Sequence, residues 1–376
     1  MKKFKKIVAL LLVAVMVLSL AACSSGDSNT DGDAAGGYTI GINTWGSGVP
    51  VLDMFGDAKQ YTLELLGHKV SRMSDDFTAD KELQNVQNMC AAGVNGIVFQ
   101  AAAVTTVPQI GEECAKAKIP FAFDVFVGDE ADLANLASGN EYYCGAIDSD
   151  MVSDGAAIAQ MAWDNGCRTA VMIGGNIGDN NMDQRSQGFT ETFTQLGGEV
   201  YAEARCTDNS ECATKAMDML SAYKDADAIY CFVGDYVEGS LTAIDNLGLT
   251  DIQVYVSCVD EGTANYIKEG RVVGGNDGIS LASYISCTLV LNYLAGHKIV
   301  DENGQAPRLS TSPFRVDQSN VDNYLKVFFS DEAKPFTQSM LNDLLYTSNP
   351  NVSYQDYVDL IANIDLDMML EANGLK

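Results

Sequence analysis

Short, almost uninterrupted apolar runs recur along this chain, and each is followed by a longer stretch with helical spacing. GIVFQA, PFAFDV and YYCGAI are interleaved with KELQNVQNMCAAG and VPQIGEECAKAK. Further on, TAVMIGG, EVYAEAR, AIYCFVG, QVYVSCV and RVVGGND are separated by segments such as QGFTETFTQLGG. Strands that are apolar on both faces belong to parallel sheets covered by helices on both sides. Two such sets in succession predict an α/β protein with two doubly wound parallel-sheet lobes. No repeat in the range of about 20–50 residues typical of solenoids is visible.

The pattern starts near Tyr38. Ahead of it lie MKKFKK, a basic n-region, then IVALLLVAVMVLSL, an apolar core, then LAAC, a small-residue cleavage site ending on Cys23. This reads as a signal peptide over 1–22. The apolar core is shorter than the ~20 residues a membrane span needs. LAAC resembles a bacterial lipobox, which makes Cys23 the expected lipidation site and places the mature protein outside the cytoplasmic membrane, lipid-anchored. Residues 23–37 (SSGDSNTDGDAAGG after the cysteine) form a polar tether unable to build a core.

The remaining length suits two domains. The expected boundaries are 38–147 with 279–309 for an N-terminal lobe, and 148–278 with 310–376 for a C-terminal lobe and a helical extension. Crossovers fall near Ile147, Gly278 and Leu309, and the extension is expected to pack on the second lobe.

Net charge is −28, with 51 acidic residues, and loss of the signal removes only lysines. Such a surface repels nucleic acid and anionic lipid, so no nucleic-acid partner is expected, and the chain reads as a monomer. Of ten cysteines, an odd number remains once Cys23 is set aside. Most sit in apolar segments as small hydrophobes. Cys206 and Cys212 flank TDNSE, and a local disulfide there is left open. No CxxC or cysteine–histidine cluster occurs, so neither a metal nor another cofactor is implied. GGNIGDNN lacks the P-loop lysine. DNNMDQ alternates oxygen ligands like a calcium loop but lacks the turn glycine and final glutamate. That stretch is expected to be a loop facing a cleft, with a calcium ion near Asp179 left open.

A carboxylate ends one apolar run after another: Asp124 in FAFDVF, Asp150 in AIDSD, Asp235 in CFVGD, Asp260 in SCVDEG and Asp277 in VVGGND. In open parallel sheets, ligands bind beyond the carboxyl ends of the strands, where aspartates can accept hydrogen bonds from hydroxyls. Asp235 also starts DYVE, a capping-box pattern, and Asp150 precedes a helix. Asp124 has no obvious helix to cap, and Asp260 precedes the turn pair Glu261-Gly262. Asp124 and Asp260 are therefore the first choices for ligand contact.

These segments resemble the type I periplasmic sugar-binding proteins of ABC importers, of the ribose and galactose type, from about Tyr38 to Ile299. KELQNVQNMCAAGVNGIVFQ is similar to a helix–strand segment whose final polar residue touches sugar, which implies that role for Gln100. RSQGF resembles R-x-x-G-F, implying a sugar-contacting Arg185. SCVDEG resembles a Phe-Asp-Gly turn, implying the same for Asp260. The family's Asp-Arg pair becomes Asp124-Val125, and in its Asn-Asp step Gly234 precedes the retained Asp235. Trp45 in NTWGSG is the nearest match to an aromatic that packs on the sugar ring.

The resemblance implies a binding protein that takes a sugar or related polyol and delivers it to an ABC permease. The alternative is a binder of a nucleoside or furanose signal reporting to a membrane receptor. An enzyme is disfavoured. His68 and His297 look peripheral, no nucleophile elbow occurs, and paired aspartates in a cleft describe a binder as well as a glycosidase.

Overall fold

The computed structural model describes residues 37–207 and 209–376; Cys23 lies outside them. Strand and helix alternate from Thr39. The first sheet takes β1 (Thr39–Thr44), β2 (Lys69–Ser74), β3 (Gly96–Phe99), β4 (Phe121–Val125) and β5 (Tyr143–Ser149). Its helices are α1 (Pro50–Leu65), α2 (Ala79–Ala92), α3 (Val107–Ala117) and α4 (Glu130–Gly139). The chain then passes to a second sheet with β6 (Thr169–Gly174), β7 (Glu199–Arg205), β8 (Ala228–Cys231), β9 (Gln253–Ser257) and β10 (Gly274–Asp277). Helices α5 (Met151–Asp164), α6 (Asn180–Leu196), α7 (Asn209–Ala222), α8 (Val237–Leu247) and α9 (Glu261–Lys268) accompany it.

Both sheets share one order. The first runs β11-β5-β4-β3-β1-β2 and the second β12-β10-β9-β8-β6-β7, where β11 is Arg308–Thr311 and β12 is Phe314–Asp317. All pairings are parallel except β10 with β12. These are the two doubly wound sheets that the apolar runs predict. In each, the reversal of strand order beside β1 or β6 makes a crevice at the carboxyl edge.

Helix α10 (Leu281–Leu294) returns the chain to the first sheet, packing on β3, β4 and β5. Almost all of it is buried, including Ser283, Ser286, Thr288 and Asn292. A helix apolar on every side needs cover on every side, and its polar groups need partners. The C-terminal extension supplies both. Tyr357 of α13 (Tyr354–Asn363) shares a 2.7 Å hydrogen bond with Thr288 and lies 3.0 Å from Asn292 Nδ2. Asn292 also donates to the Leu344 carbonyl at 2.8 Å, and Tyr61 of α1 donates to the Phe336 carbonyl at 2.9 Å.

The extension was expected on the second lobe alone, and only its ends are there. Helix α11 (Val321–Phe329) packs on α9 and β12, with α14 (Leu366–Ala372) against it. The middle crosses back because α10 leaves unmet polar groups facing it.

Among the described residues no helix is long and apolar enough to cross a membrane, and no group of three His, Cys, Asp or Glu is placed to hold a metal ion. Cys206 and Cys212 are buried neighbours, with hydrogen-bonding contact between their thiols.

Candidate functional site

The carboxyl edges of both sheets open onto a single cleft of about 810 Å³. Trp45 follows β1, Phe77 follows β2, Ala101 follows β3, and Val125 and Phe126 end β4. Facing them are Asp179 to Asn181 after β6, Val233 to Tyr236 after β8, and Cys258 after β9. The crossover residues Asp148, Asp150, Ile279 and Arg308 form its back.

Asp124 does not line this cleft. Along β4, Phe121 and Phe123 pack to one side in their own core cluster, so Ala122 and Asp124 point to the other, toward α1 and α10. Lys59 Nζ sits 2.9 and 3.0 Å from the two carboxylate oxygens, and Ser283 Oγ donates at 2.5 Å. Lysine and aspartate are both fully buried. The carboxylate is therefore saturated inside the lobe, and the expected hydroxyl contact is overturned.

The turn to the cleft comes one residue later. Val125 has φ 60°, and Phe126 N donates to the Asp124 carbonyl at 2.6 Å, closing a three-residue turn. Positive φ at a β-branched residue is strained. Here it delivers Val125 and Phe126 to the cleft. Cys258 (φ 54°) does the same at the end of β9.

Gln100 is also below the wall rather than on it. Its Oε1 accepts from the Trp45 backbone N–H at 3.1 Å, and its own backbone pairs with the Asn43 amide on both sides. Gln100 thus seats Trp45. The half-buried indole of Trp45 does face the cleft, edge-on to Phe77 with ring centroids 6.4 Å apart.

Asp260 caps α9, its Oδ1 accepting from Thr263 N at 2.7 Å, and does not line the cleft. This places it among the helix caps and overturns its choice as a first-rank contact. Asp277 lies in a small hollow between the crossovers, beside Asp154 and Arg185. Its Oδ2 accepts from Tyr324 at 2.7 Å, while Oδ1 has no partner among the described residues. Burial pushes the Asp277 carboxyl up to about 7, against the Tyr324 hydrogen bond that lowers it. It too is absent from the main cleft.

Besides Trp45, three predicted residues reach the cleft. Asp150 lines it while capping α5, accepting from Ser153 N at 2.8 Å. Arg185 lines it too, its guanidinium held by Asp154 Oδ2 at 2.7 Å and Cys258 Sγ at 2.9 Å. Asp235 is not a helix cap: it lies in the single 3₁₀ turn Gly234–Tyr236 ahead of α8, where no side chain caps. Its carboxylate takes no hydrogen bond from the described residues. Burial, with Asp260 nearby, raises its pKa.

Of GGNIGDNN, expected as a cleft-facing loop, only Gly178 to Asn181 line the cleft, and Asn180 and Asn181 already belong to α6, which Asp179 caps through Asn181 N and Met182 N. Sequence reasoning missed Gln184 on the same helix and the Asp148–Arg308 pair, 3.0 Å apart. It also missed the apolar first-lobe wall. The signal for that wall was the run Val125-Phe126-Val127 continuing past the strand.

The sequence profile described as periplasmic binding protein domain matches residues 45–298. This chain belongs to that family. Its members are solute-binding proteins and not enzymes. No curated protein sequence matches significantly. Among solved structures, this periplasmic binding protein is similar to the arabinose ABC transporter component from Shewanella sp. ANA-3, bound to L-arabinofuranose. Identity is 18%, the TM-score is 0.67, and the match covers 77% of this chain and 94% of that one. An ABC transporter solute-binding protein from Actinobacillus succinogenes 130z with bound D-allose matches at 18% identity and a TM-score of 0.68, over 76% and 100%. The Caulobacter myo-inositol-binding protein matches at 15% and 0.62, over 76% and 95%. At these identities the likeness establishes the shared fold: two parallel-sheet lobes of the periplasmic binding protein type.

Proposed function

We propose that this periplasmic binding protein is an extracytoplasmic lipoprotein, anchored through Cys23, that captures a sugar or related polyol between its lobes and delivers it to an ABC permease. The observation that carries the reading is Asp235, an unpartnered carboxylate in a cleft at the carboxyl edges of both sheets. Such a group can accept from ligand hydroxyls, with Arg185, Asn180 and Gln184 on the same wall as donors. The lobes proposed are 38–147 with 279–309, and 148–278 with 310–376, apart from the middle of the extension, which packs beneath the first lobe. They close on ligand by rotation at the crossovers.

A thermal-shift screen over pentoses, hexoses, inositols and nucleosides tests the reading. A true ligand at a hundredfold excess over its dissociation constant adds ~2.7 kcal/mol of stability, and scattering should then show a smaller radius of gyration. Absence of any shift across the screen would remove the sugar reading. Cys23→Ala should release the protein from membranes with ligand affinity intact; retention would remove the lipid anchor.

A further inference from the structure

Between Trp45 and Gly128 the first lobe contributes no polar side chain to the cleft beyond the indole of Trp45; its polar lining is confined to Asp148 and Ser149 at the end of β5 and Arg308 and Ser310 on β11. Among the described residues, every lining position from 45 to 128 is apolar or glycine. The lobe has polar groups at its strand ends, but they face inward. Asn43 is bonded to Asp75 and to the Gln100 backbone, and Asp124 is taken by Lys59 and Ser283. All four strand-end residues, Asn43, Asp75, Gln100 and Asp124, are fully buried. What the cleft meets instead is Leu52, Phe55, Val125, Phe126 and Val127, with Trp45 and Phe77 toward the rim.

The opposite wall has the reverse character. Asp179, Asn180, Asn181, Gln184, Arg185 and Asp235 give it donors and acceptors, and the crossovers add Asp148, Asp150 and Arg308. A free monosaccharide carries hydroxyls around its whole rim. Those pressed against Val125 or Phe126 lose water and gain no partner. A ligand matched to both walls has hydroxyls on one side only.

Resting on the solute-binding reading of the same cleft, we infer that the ligand is two-faced: a sugar joined to a flat ring with an apolar face, as in a nucleoside or an aryl glycoside. The ring lies against the Val125–Phe126 wall and the hydroxyls meet Asp235 and its neighbours. Burying about 100 Å² of ring surface at about 25 cal/mol per Å² corresponds to roughly seventyfold in affinity.

The test uses the intact mature chain and paired probes in titration calorimetry. D-ribose is compared with adenosine and uridine, and D-glucose and D-galactose are compared with their phenyl β-glycosides. At least one ring-bearing probe should bind thirtyfold or more above its own free sugar. Which pair shows the gain separates nucleoside from aryl glycoside. Val125→Arg, which puts a charge on the apolar wall, should cut that ratio below threefold. A free sugar that binds as tightly as its ring-bearing partner overturns the inference and leaves the sugar-capture reading standing. Silence from every probe overturns both. The wild-type comparison decides the matter even if the variant does not fold.

Discussion

At the end of β4 a carboxylate turns inward, and Asp124 disappears into a pair with Lys59. At the end of β8 the chain does the opposite, and Asp235 stands in the cleft without a hydrogen-bond partner among the described residues. The two sheets have the same strand order and the same carboxyl-edge geometry, so topology does not decide between these fates. What decides is whether a neighbouring helix supplies a cation. Helix α1 places Lys59 in its buried stripe with Leu52, Phe55 and Leu63. Helix α8 buries Val237, Leu241 and Ile244 and brings no cation, its only charges being Glu238 and Asp245. A strand-end aspartate stays open to the cleft only where the adjoining helix leaves it alone.

The sharpest way to break this comparison is to remove the cation. Lys59→Met leaves Asp124 buried and unpaired, and should cost about 3–5 kcal/mol in denaturant unfolding. A loss below 1 kcal/mol would mean the pair does not seat α1 on β4.

Next in size is a pH effect from the crossovers. The Asp277 carboxyl, ordinarily 3.8, is raised to about 7, so the folded state holds its proton more tightly than the unfolded state. Its contribution is complete below about pH 4 and disappears as pH rises through 7, amounting to about 4 kcal/mol. The first lobe adds the same sign through Glu82, which burial pushes up to about 8. The empty protein should therefore melt at a lower temperature at pH 8 than at pH 5. Asp277→Asn should flatten the drop below pH 7, and an unchanged slope would exonerate this carboxyl.

Ligand affinity gives the third contrast. Asp235→Asn should weaken a confirmed ligand ten- to a hundredfold, the ~1.5–3 kcal/mol of a charged hydrogen bond, with the apo melting point unmoved. Asp124→Asn should lower the melting point instead. If Asp124→Asn spares stability and abolishes binding, the assignment of inward and outward carboxylates is reversed. Smallest of all is Asp260→Asn. Asparagine caps about as well as aspartate, so stability should change by only a few tenths of a kcal/mol and affinity should hold.

The fold was legible because β3, β4, β8 and β9 are apolar on both faces, which only a doubly covered parallel sheet satisfies. The site was half legible. Strand ends could be located, yet the direction of a side chain there depends on one dihedral: Asp124 precedes the left-handed turn at Val125 and so stays with the strand's inner face. One clue was present, since Lys59 interrupts the apolar spacing of α1 and a buried lysine requires an acid. Asp235 was obscured because DYVE imitates a helix start; the 3₁₀ turn moves the N-cap one residue on, to Tyr236. The placement of the extension was illegible, since nothing local to its helices says which polar groups of α10 await them.

That extension has a consequence for how the chain comes to exist. Tyr324 bonds to Val259 and Asp277 on the second lobe, and Tyr357 bonds to Thr288 and Asn292 beneath the first. The oldest part of the first lobe, begun at Thr39, therefore stays uncovered until some three hundred further residues have been synthesised and threaded into place. Contacts so distant in sequence make folding slow. Neither lobe has its full set of contacts before Tyr357 is made, so the chain stays incompletely folded through nearly all of its synthesis.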